Sequence, residues 1–203
     1  MLPTLAASPP LILASNSTTR VTLLRNAGLA FSTASPGVDE TALKHQALQL
    51  GRTPGEIALA LAQTKSLAIH APGALVIGAD QVLDLAGQIL SKPGSLDGAQ
   101  AQLRALSGCT HRLLSAISLA QDGVLLWQHT SIAHMTMRVL SEAEITRYLA
   151  SAGPGILQSV GAYHYEGLGA HLFSAVEGDY YTILGLPLLP LLSFLRTQGV
   201  SFQ

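Results

Sequence analysis

Apolar residues along this chain fall into short runs, broken by glycine, proline and small polar residues. Leu11 to Ala14, directly after Pro10, predicts a buried strand. Thr18 to Ala27 then reads as a helix, with Ser17 as its N-cap and Gly28 as its stop. Phe31 to Ser35 suits a second strand, and Pro36 to Glu40 a loop by its turn chemistry. Thr53-Pro54-Gly55-Glu56 opens a helix that should run to about Ile69: threonine caps, proline takes the first helical position and glutamate closes a capping box. Ala74 to Ala79 is a continuous apolar strand, and Gln81 to Leu90 a hairpin turning at Ala86-Gly87. Ser95 to Leu106 predicts a helix stopped by Gly108. Arg112 to Ala120 and Val124 to Val139 read as long strands joined at Asp122-Gly123. Ser141 to Ala152 is a helix with a second capping box, Ser141 and Glu144. Tyr163 to Val176 suits strand and turn, and Pro187 to Thr197 a last helix. Helices interleaved with hairpins predict an α/β fold, a mixed twisted sheet flanked by helices.

Composition narrows the function classes. The 203 residues suit a single domain spanning the chain, of one or two lobes. Charged residues are 11%, against about 25% in an ordinary globular chain, so each charge in an unusual place is informative. At 48% hydrophobic residues, intrinsic disorder is excluded. A net charge of −1 offers no field to hold polymeric nucleic acid or an anionic membrane. The single cysteine, Cys109, excludes an internal disulfide framework and a CxxC zinc site. The longest apolar stretch, Ile183 to Leu195, is interrupted by Gly185, Pro187, Pro190 and Ser193, whereas a spanning helix needs about 20 mostly apolar residues. The first residues are apolar but lack a basic n-region and contain Pro9-Pro10. Residues 1–10 are therefore expected to be a frayed lead-in to the first strand, and the protein to be cytoplasmic and reduced.

Three placements stand out. Ser15-Asn16-Ser17-Thr18-Thr19-Arg20 follows a strand and opens a helix. Free N–H groups and hydroxyls there make a phosphate cradle. Arg20 in the first turn opposes the helix dipole, a cost that an anion bound in a forked pair of hydrogen bonds would reverse. Lys65 is the only Lys, Arg, Asp or Glu between Glu56 and Asp80. With Leu61, Ala68 and Ile69 around it on one helical face, it either snorkels or points into a polar cleft. Asp80 ends the run Leu75-Val76-Ile77-Gly78-Ala79, at the end of a strand where open sheets bind ligands. With Glu40 in the earlier loop and Lys92 after the hairpin, these carboxylates and cations suit a polyphosphate with a divalent metal. No GxxxxGK[ST] loop, no GxGxxG and no GxSxG elbow is present. His129 and His134 are five apart in a strand-like run, so they face opposite sides and make a poor metal pair.

The segments LILASNSTTRVTLL, Val38-Asp39-Glu40-Thr41, GADQV, LSKP, LRALSGCTH, YHYEGLGAHLF, VEGDYY and LGLPL occur, with Lys65, in the order found in the Maf family. The chain resembles that family from about residue 11 to 197. The resemblance implies an architecture like the inosine triphosphate pyrophosphatases, with two lobes around a cleft. It implies hydrolysis of nucleoside triphosphates to monophosphate and pyrophosphate with Mg²⁺ or Mn²⁺, and it suggests a homodimer. It places Asp80 at the catalytic position and Ser15, Arg20, Glu40, Lys65 and Lys92 at other active-site positions. The reading that follows has Asp80 and Glu40 holding metal, and Arg20, Lys65 and Lys92 holding the triphosphate. Thr19, Gln81 and Glu166 fall where the family selects its base. An Arg, Thr, Gln set resembles the pyrimidine type, and a Trp, Gln, Glu set the 7-methyl-GTP type. Gln81 and Glu166 lean to the latter, while Thr18-Thr19 replaces the family's Pro followed by Arg or Trp. A dedicated 7-methyl-GTP pyrophosphatase and a non-catalytic nucleotide-binding regulator of cell division are the alternatives; a regulator would need only the cradle.

Overall fold

The computed structural model describes residues 8–202. Its centre is a seven-stranded mixed sheet. Strand β1 (Leu11–Ala14) lies between β2 (Ser32–Ala34) and β3 (Leu75–Leu85), parallel to both. Beyond β3 the sheet is antiparallel, through β5 (Thr110–Gln121), β6 (Val124–Met137) and β7 (Phe173–Glu177). The short β4 (Gln88–Leu90) folds back on the end of β3 through the expected turn at Ala86-Gly87. Asp122 and Gly123, both at positive φ, make the β5–β6 turn, a conformation that aspartate and glycine tolerate best.

The helices are α1 (Thr18–Asn26), α2 (Glu40–Gln49), α3 (Pro54–Leu67), α4 (Leu96–Leu106), α5 (Glu142–Ala152), α6 (Tyr180–Ile183) and α7 (Leu188–Thr197). Three 3-10 turns fill Pro154–Gln158, Val160–Ala162 and Leu168–Leu172. Both expected capping boxes form, Thr53 with Glu56 and Ser141 with Glu144.

Strand alternation sorts the core. On one face of β3, Leu75, Ile77 and Ala79 pack with Leu23 and Leu24 of α1 and Leu188, Leu191 and Leu195 of α7. Farther along the sheet, Leu83, Leu113 and Met135 pack with α4 and α5. On the opposite face, Val82 and Ala116 lie under Ile57, Ala58, Leu61 and Ala62 of α3. Gly78 is what lets α3 come this close: a Cβ there would stand 2.0 Å from the Ala62 carbonyl oxygen and 2.6 Å from the Ser66 nitrogen.

Three expectations need correction. Glu40 is not in a loop; it is the first residue of α2, capped by Asp39. That helix has no fully buried residue, and only Leu43 and Ala47 pack, partly buried, against α3, so its apolar stripe is too short to stand out in the sequence. Second, β3 does not end before Asp80. It runs on for five more residues, and Asp80 pairs with Ala116 in mid-strand. The four-residue α6 lies between Val176 and Pro187, where the sequence predicts no element. Lastly, residues 8–10 are not frayed. The Ser8 hydroxyl donates to the Gly199 carbonyl, and the Pro10 carbonyl accepts from Leu75 N–H. The same expectation for residues 1–7 lies outside the described residues. Among the described residues no helix is long and apolar enough to cross a membrane.

Candidate active site

The site begins where β1 stops. β1 pairs with β3 only as far as Ala14 opposite Gly78. The chain then turns through Ser15-Asn16-Ser17 into α1, while β3 continues. A cleft of about 720 Å³ opens at this divergence, within the range of small-molecule sites. It is lined by all the residues singled out for chemistry: Ser15, Thr19, Arg20, Glu40, Lys65, Asp80, Gln81, Lys92 and Glu166. Asp80 therefore does sit at a strand-end crevice, but the end belongs to β1 rather than to its own strand.

Lys65 is the hub. Its Nζ lies 2.7 Å from Asp80 Oδ1 and 2.7 Å from Glu40 Oε1. The ammonium is buried, so of its two open readings the polar cleft is the one observed. Three elements make this contact: α3 carries Lys65, β3 carries Asp80 and the first turn of α2 carries Glu40. Burial raises the Glu40 carboxyl, but its hydrogen bond to Lys65 and the charges of Lys65, Lys92 and Lys44 outweigh this and hold it below its ordinary pKa. Asp80 is 4% exposed, and its Oδ2 has no hydrogen-bond partner. Buried polar atoms are rarely left so, and the residue that carries this one lines the cleft.

Arg20 is buried and turned inward rather than toward solvent. Its Nε donates to the Gly185 carbonyl at 2.9 Å and its Nη1 to the Ala79 carbonyl at 2.9 Å, with Ser15 Oγ at 3.4 Å from Nη1. The forked pair that a bound phosphate would accept is thus largely taken up by the chain itself; Nη2 is the nitrogen left over. Arg20 fills the space that β1 vacates beside β3, and it ties the start of α1 to the Gly185 turn. Burial lowers its pKa from the ordinary value, against which the charges of Asp80 and Glu40 act. Ser17 caps α1 by accepting from Arg20 N–H, and Ser15 Oγ accepts from Ser17 N–H. No acidic residue occupies the first turn, so the N–H groups of Thr18 and Thr19 keep their positive field for an anion.

Gln81 points to the other face of β3. Its amide nitrogen donates to Ser115 Oγ and to the Thr182 and Ile183 carbonyls, at 2.9, 3.0 and 3.0 Å. That leaves its carbonyl oxygen as the group it can offer the cleft. Glu166 is exposed at the rim, with Thr18 and Thr19 across from it.

The cleft also contains residues that the sequence reading passed over. Lys44 lines it one helical turn after Glu40, a spacing visible only once α2 is recognised. Tyr163, His164 and Tyr165 form part of its wall. Gly185 anchors Arg20 through a carbonyl 165 residues away in sequence, for which no local signal exists.

Two carboxylates on one cation, with one buried oxygen unpartnered, match the donor set of a hard divalent ion, which takes one or two carboxylates and completes its shell with phosphate and water. Among the described residues no cluster of three or more His, Cys, Asp or Glu side chains suits a metal.

A 7-methyl-GTP pyrophosphatase from Brucella abortus biovar 1 is 50% identical over 190 residues, covering 93% of this chain and 96% of that protein. A nucleoside triphosphate pyrophosphatase from Nitrobacter hamburgensis is 51% identical over 194 residues, covering 94% and 95%. Among solved structures, a HAM1 protein from Coxiella burnetii overlaps 64% of this chain and 73% of its own, at 16% identity and a TM-score of 0.39. That likeness is too slight to fix the fold, which stands on the topology itself. The model of the Maf-like protein family matches residues 10–198, and with relatives at half identity over nearly the whole length, the chain belongs to the Maf-like family.

Proposed function

We propose that this chain hydrolyses nucleoside triphosphates between the α- and β-phosphates, releasing a nucleoside monophosphate and pyrophosphate. The observation that carries the reading is the Lys65 ammonium held between Asp80 and Glu40, with Asp80 Oδ2 unpartnered beside it. The names of the relatives at about 50% identity support the same chemistry.

In this reading the triphosphate lies across the N-terminus of α1, with Lys92 and Lys44 at its outer edge and Lys65 beneath it. Asp80 Oδ2 accepts a proton from an attacking water as its oxygen bonds to the α-phosphorus. The bond from that phosphorus to the bridging oxygen breaks, and pyrophosphate leaves with the electron pair. Arg20 fixes the α1 terminus against β3 and adds charge through Nη2. Glu40 and Asp80 would hold a divalent cation, Mg²⁺ or Mn²⁺, which when bound supplies positive charge to the phosphates. Charge stabilisation and positioning carry most of such a transfer.

A second reading concerns the base. Gln81 Oε1 and the Glu166 carboxylate are both acceptors at the cleft. They suit a base whose edge carries donors, as guanine does, and more so a cationic one such as 7-methylguanine. Three relatives carry the name 7-methyl-GTP pyrophosphatase, two at 50% and one at 49% identity.

The test is pyrophosphate release from dTTP, UTP, CTP, GTP, ITP and 7-methyl-GTP, with Mg²⁺, with Mn²⁺ and with chelator. Release is expected to need the metal. Asp80→Asn keeps the shape but loses the proton acceptor, and should lower kcat by about 10²–10⁴-fold. Full activity in that variant would remove Asp80 from the mechanism. Tight binding with no turnover of any nucleotide would favour a regulator.

A further inference from the structure

We propose that the cleft is open at its phosphate end, so that the same hydrolysis extends to nucleotides esterified at the terminal phosphate, dinucleoside triphosphates included. The inference rests on the pyrophosphatase reading and adds a substrate class to it.

Exposure rises along the line of charges. Asp80 and Lys65 form the floor, with side chains 6% and 5% exposed. Glu40 comes next, at 39%. Against its burial, Lys65 and then the charges of Lys92 and Lys44 hold the Glu40 carboxyl low, which places both lysines around it. Lys44 is half-buried and Lys92 exposed. Among the described residues neither is drawn into an ion pair.

The two lysines stand on separate elements, Lys44 on α2 and Lys92 in the loop after β4. That loop bonds back to α4, where Gln102 donates to the Ser91 carbonyl at 2.7 Å. α2 bonds to α3 through Glu40 and Lys65. Among the described residues no hydrogen bond or ion pair joins α2 to the loop, so they flank a mouth rather than form a wall. Gly37 follows Pro36 of the cleft lining, and Gly94 lies two residues after Lys92. A Cβ on either glycine would meet nothing within 4 Å. The inner wall is the opposite. Tyr163 and Ile183 are buried there, and a Cβ on Gly185 would stand 3.4 Å from Arg20 Nη2.

The reaction tolerates a group at that mouth. The water oxygen bonds to the α-phosphorus and its proton goes to Asp80 Oδ2. The bond from that phosphorus to the α–β bridging oxygen breaks, and the leaving group takes the electron pair. From a free triphosphate the leaving group is pyrophosphate; from a dinucleoside triphosphate it is a nucleoside diphosphate. Esterification removes one negative charge at the terminal phosphate and leaves the departing oxygen unchanged. What weakens is the contact with Lys44 and Lys92, and pairing with exposed lysines contributes little. A second nucleoside stands outside the mouth, where nothing encloses it. The nucleoside at Gln81 and Glu166 leaves as the monophosphate.

The experiment measures kcat/KM with Mg²⁺ for GTP and UTP, for their γ-methyl and γ-phenyl esters, and for the dinucleoside triphosphates GpppG and UpppU. Products are separated after reaction in water enriched in oxygen-18. For the better of the two bases, every esterified form should stay within about tenfold of its parent, whatever the size of the group, because only a solvent-screened contact is lost. The dinucleotide should give monophosphate and diphosphate in equal amounts, with the label in the monophosphate. A larger fall, deepening from methyl to nucleoside, would show a closed mouth and overturn the proposal. Label in the diphosphate would place the attack at the β-phosphorus and overturn it too. Either result, with GTP or UTP still cleaved, leaves the pyrophosphatase reading intact. Absence of turnover on the free triphosphates and the esters alike would instead sink that reading, and this inference with it.

Discussion

Two buried polar clusters sit on opposite faces of the sheet, and each leaves one polar atom without a partner. On the α3 face, Asp80 Oδ2 is unpartnered beside Lys65 and Glu40. On the other face, His111 Nδ1 is unpartnered, while its Nε2 lies 2.7 Å from the Tyr163 hydroxyl. The first cluster is charged and opens on the cleft through Glu40, whose side chain is 39% exposed. The second is enclosed, with His111 fully buried between the rings of Tyr163 and Phe173. Burial pushes the His111 pKa down to about 4 and that of Tyr163 up, so both stay neutral near pH 7. An orphan atom in a charged, accessible cluster is a place for a ligand; one in a neutral, sealed cluster is a cost to stability. The two should respond differently to the same kinds of change.

The largest effect on stability belongs to the charged cluster. Lys65→Met removes the ammonium that bonds Asp80 Oδ1 and leaves that buried carboxylate with Arg20 as its nearest remaining charge partner but no hydrogen bond to a cation. Breaking a buried pair from one side costs about 3–5 kcal/mol. Thermal or urea unfolding should show that loss, together with loss of pyrophosphate release. A variant of unchanged stability would mean that water reaches Asp80 freely.

The sealed cluster should show itself through pH. The folded-state pKa of His111 is depressed from 6.5 to about 4, so between those values the unfolded chain binds the proton and the folded chain does not. Stability attached to the neutral ring is complete above pH 6.5 and falls as pH drops toward 4. The shift corresponds to about 3 kcal/mol at its limit. Carboxylates held low, such as Glu144 at about 2, lose their contribution in a more acid window and can be separated from it. His111→Phe should flatten the slope between pH 6.5 and 4. It should also lower stability at neutral pH, because the Tyr163 hydroxyl loses its partner. An unchanged slope would assign that limb to other groups.

The same contrast shows what sequence can and cannot reveal. The strand, cap and helix from Leu11 to Arg20 were legible because each step is local: an apolar run, a serine cap, a polar first turn. The capping boxes and the two hairpin turns were legible for the same reason. The length of β3 was not, because a charge at Asp80 reads as the end of an apolar strand. Lys65, on a helix packed across Gly78, and the buried Arg20 make that charge tolerable in mid-strand. Arg20 stood out as a cation in a first helical turn, yet its hydrogen-bond partners at Ala79 and Gly185 come from distant elements that no local pattern indicates. The α2 helix escaped notice because helical periodicity reports burial, and α2 buries only Leu43 and Ala47, and those in part.

Gly78 tests that account directly. In Gly78→Ala the new methyl would overlap the Ala62 carbonyl oxygen and the Ser66 nitrogen, both backbone atoms of α3. The helix must retreat, which costs about 1–3 kcal/mol by the usual scale of overpacking. Because Lys65 rides on α3, the retreat should also lengthen its contact with Asp80. Activity should therefore fall further than stability does, whereas the sealed cluster on the opposite face keeps its pH limb. Equal activity per folded molecule would show that the site does not depend on how closely α3 approaches.

The smallest effect serves as the measure for the others. Ser141 caps α5 through its side chain and accepts from Glu144 N–H, while Glu144 reaches back to Ser141 N–H. Ser141→Ala removes one half of that box, at a cost of about 1 kcal/mol, or about 2–4 °C in Tm for a chain of this size. α5 packs with α4 on the sealed side and contributes nothing to the cleft lining. The variant should therefore lose stability with kcat/KM unchanged. If it lost activity in proportion, marginal folding rather than geometry would explain part of the loss in Gly78→Ala, and the separation between the two faces would have to be redrawn from the difference between these two variants.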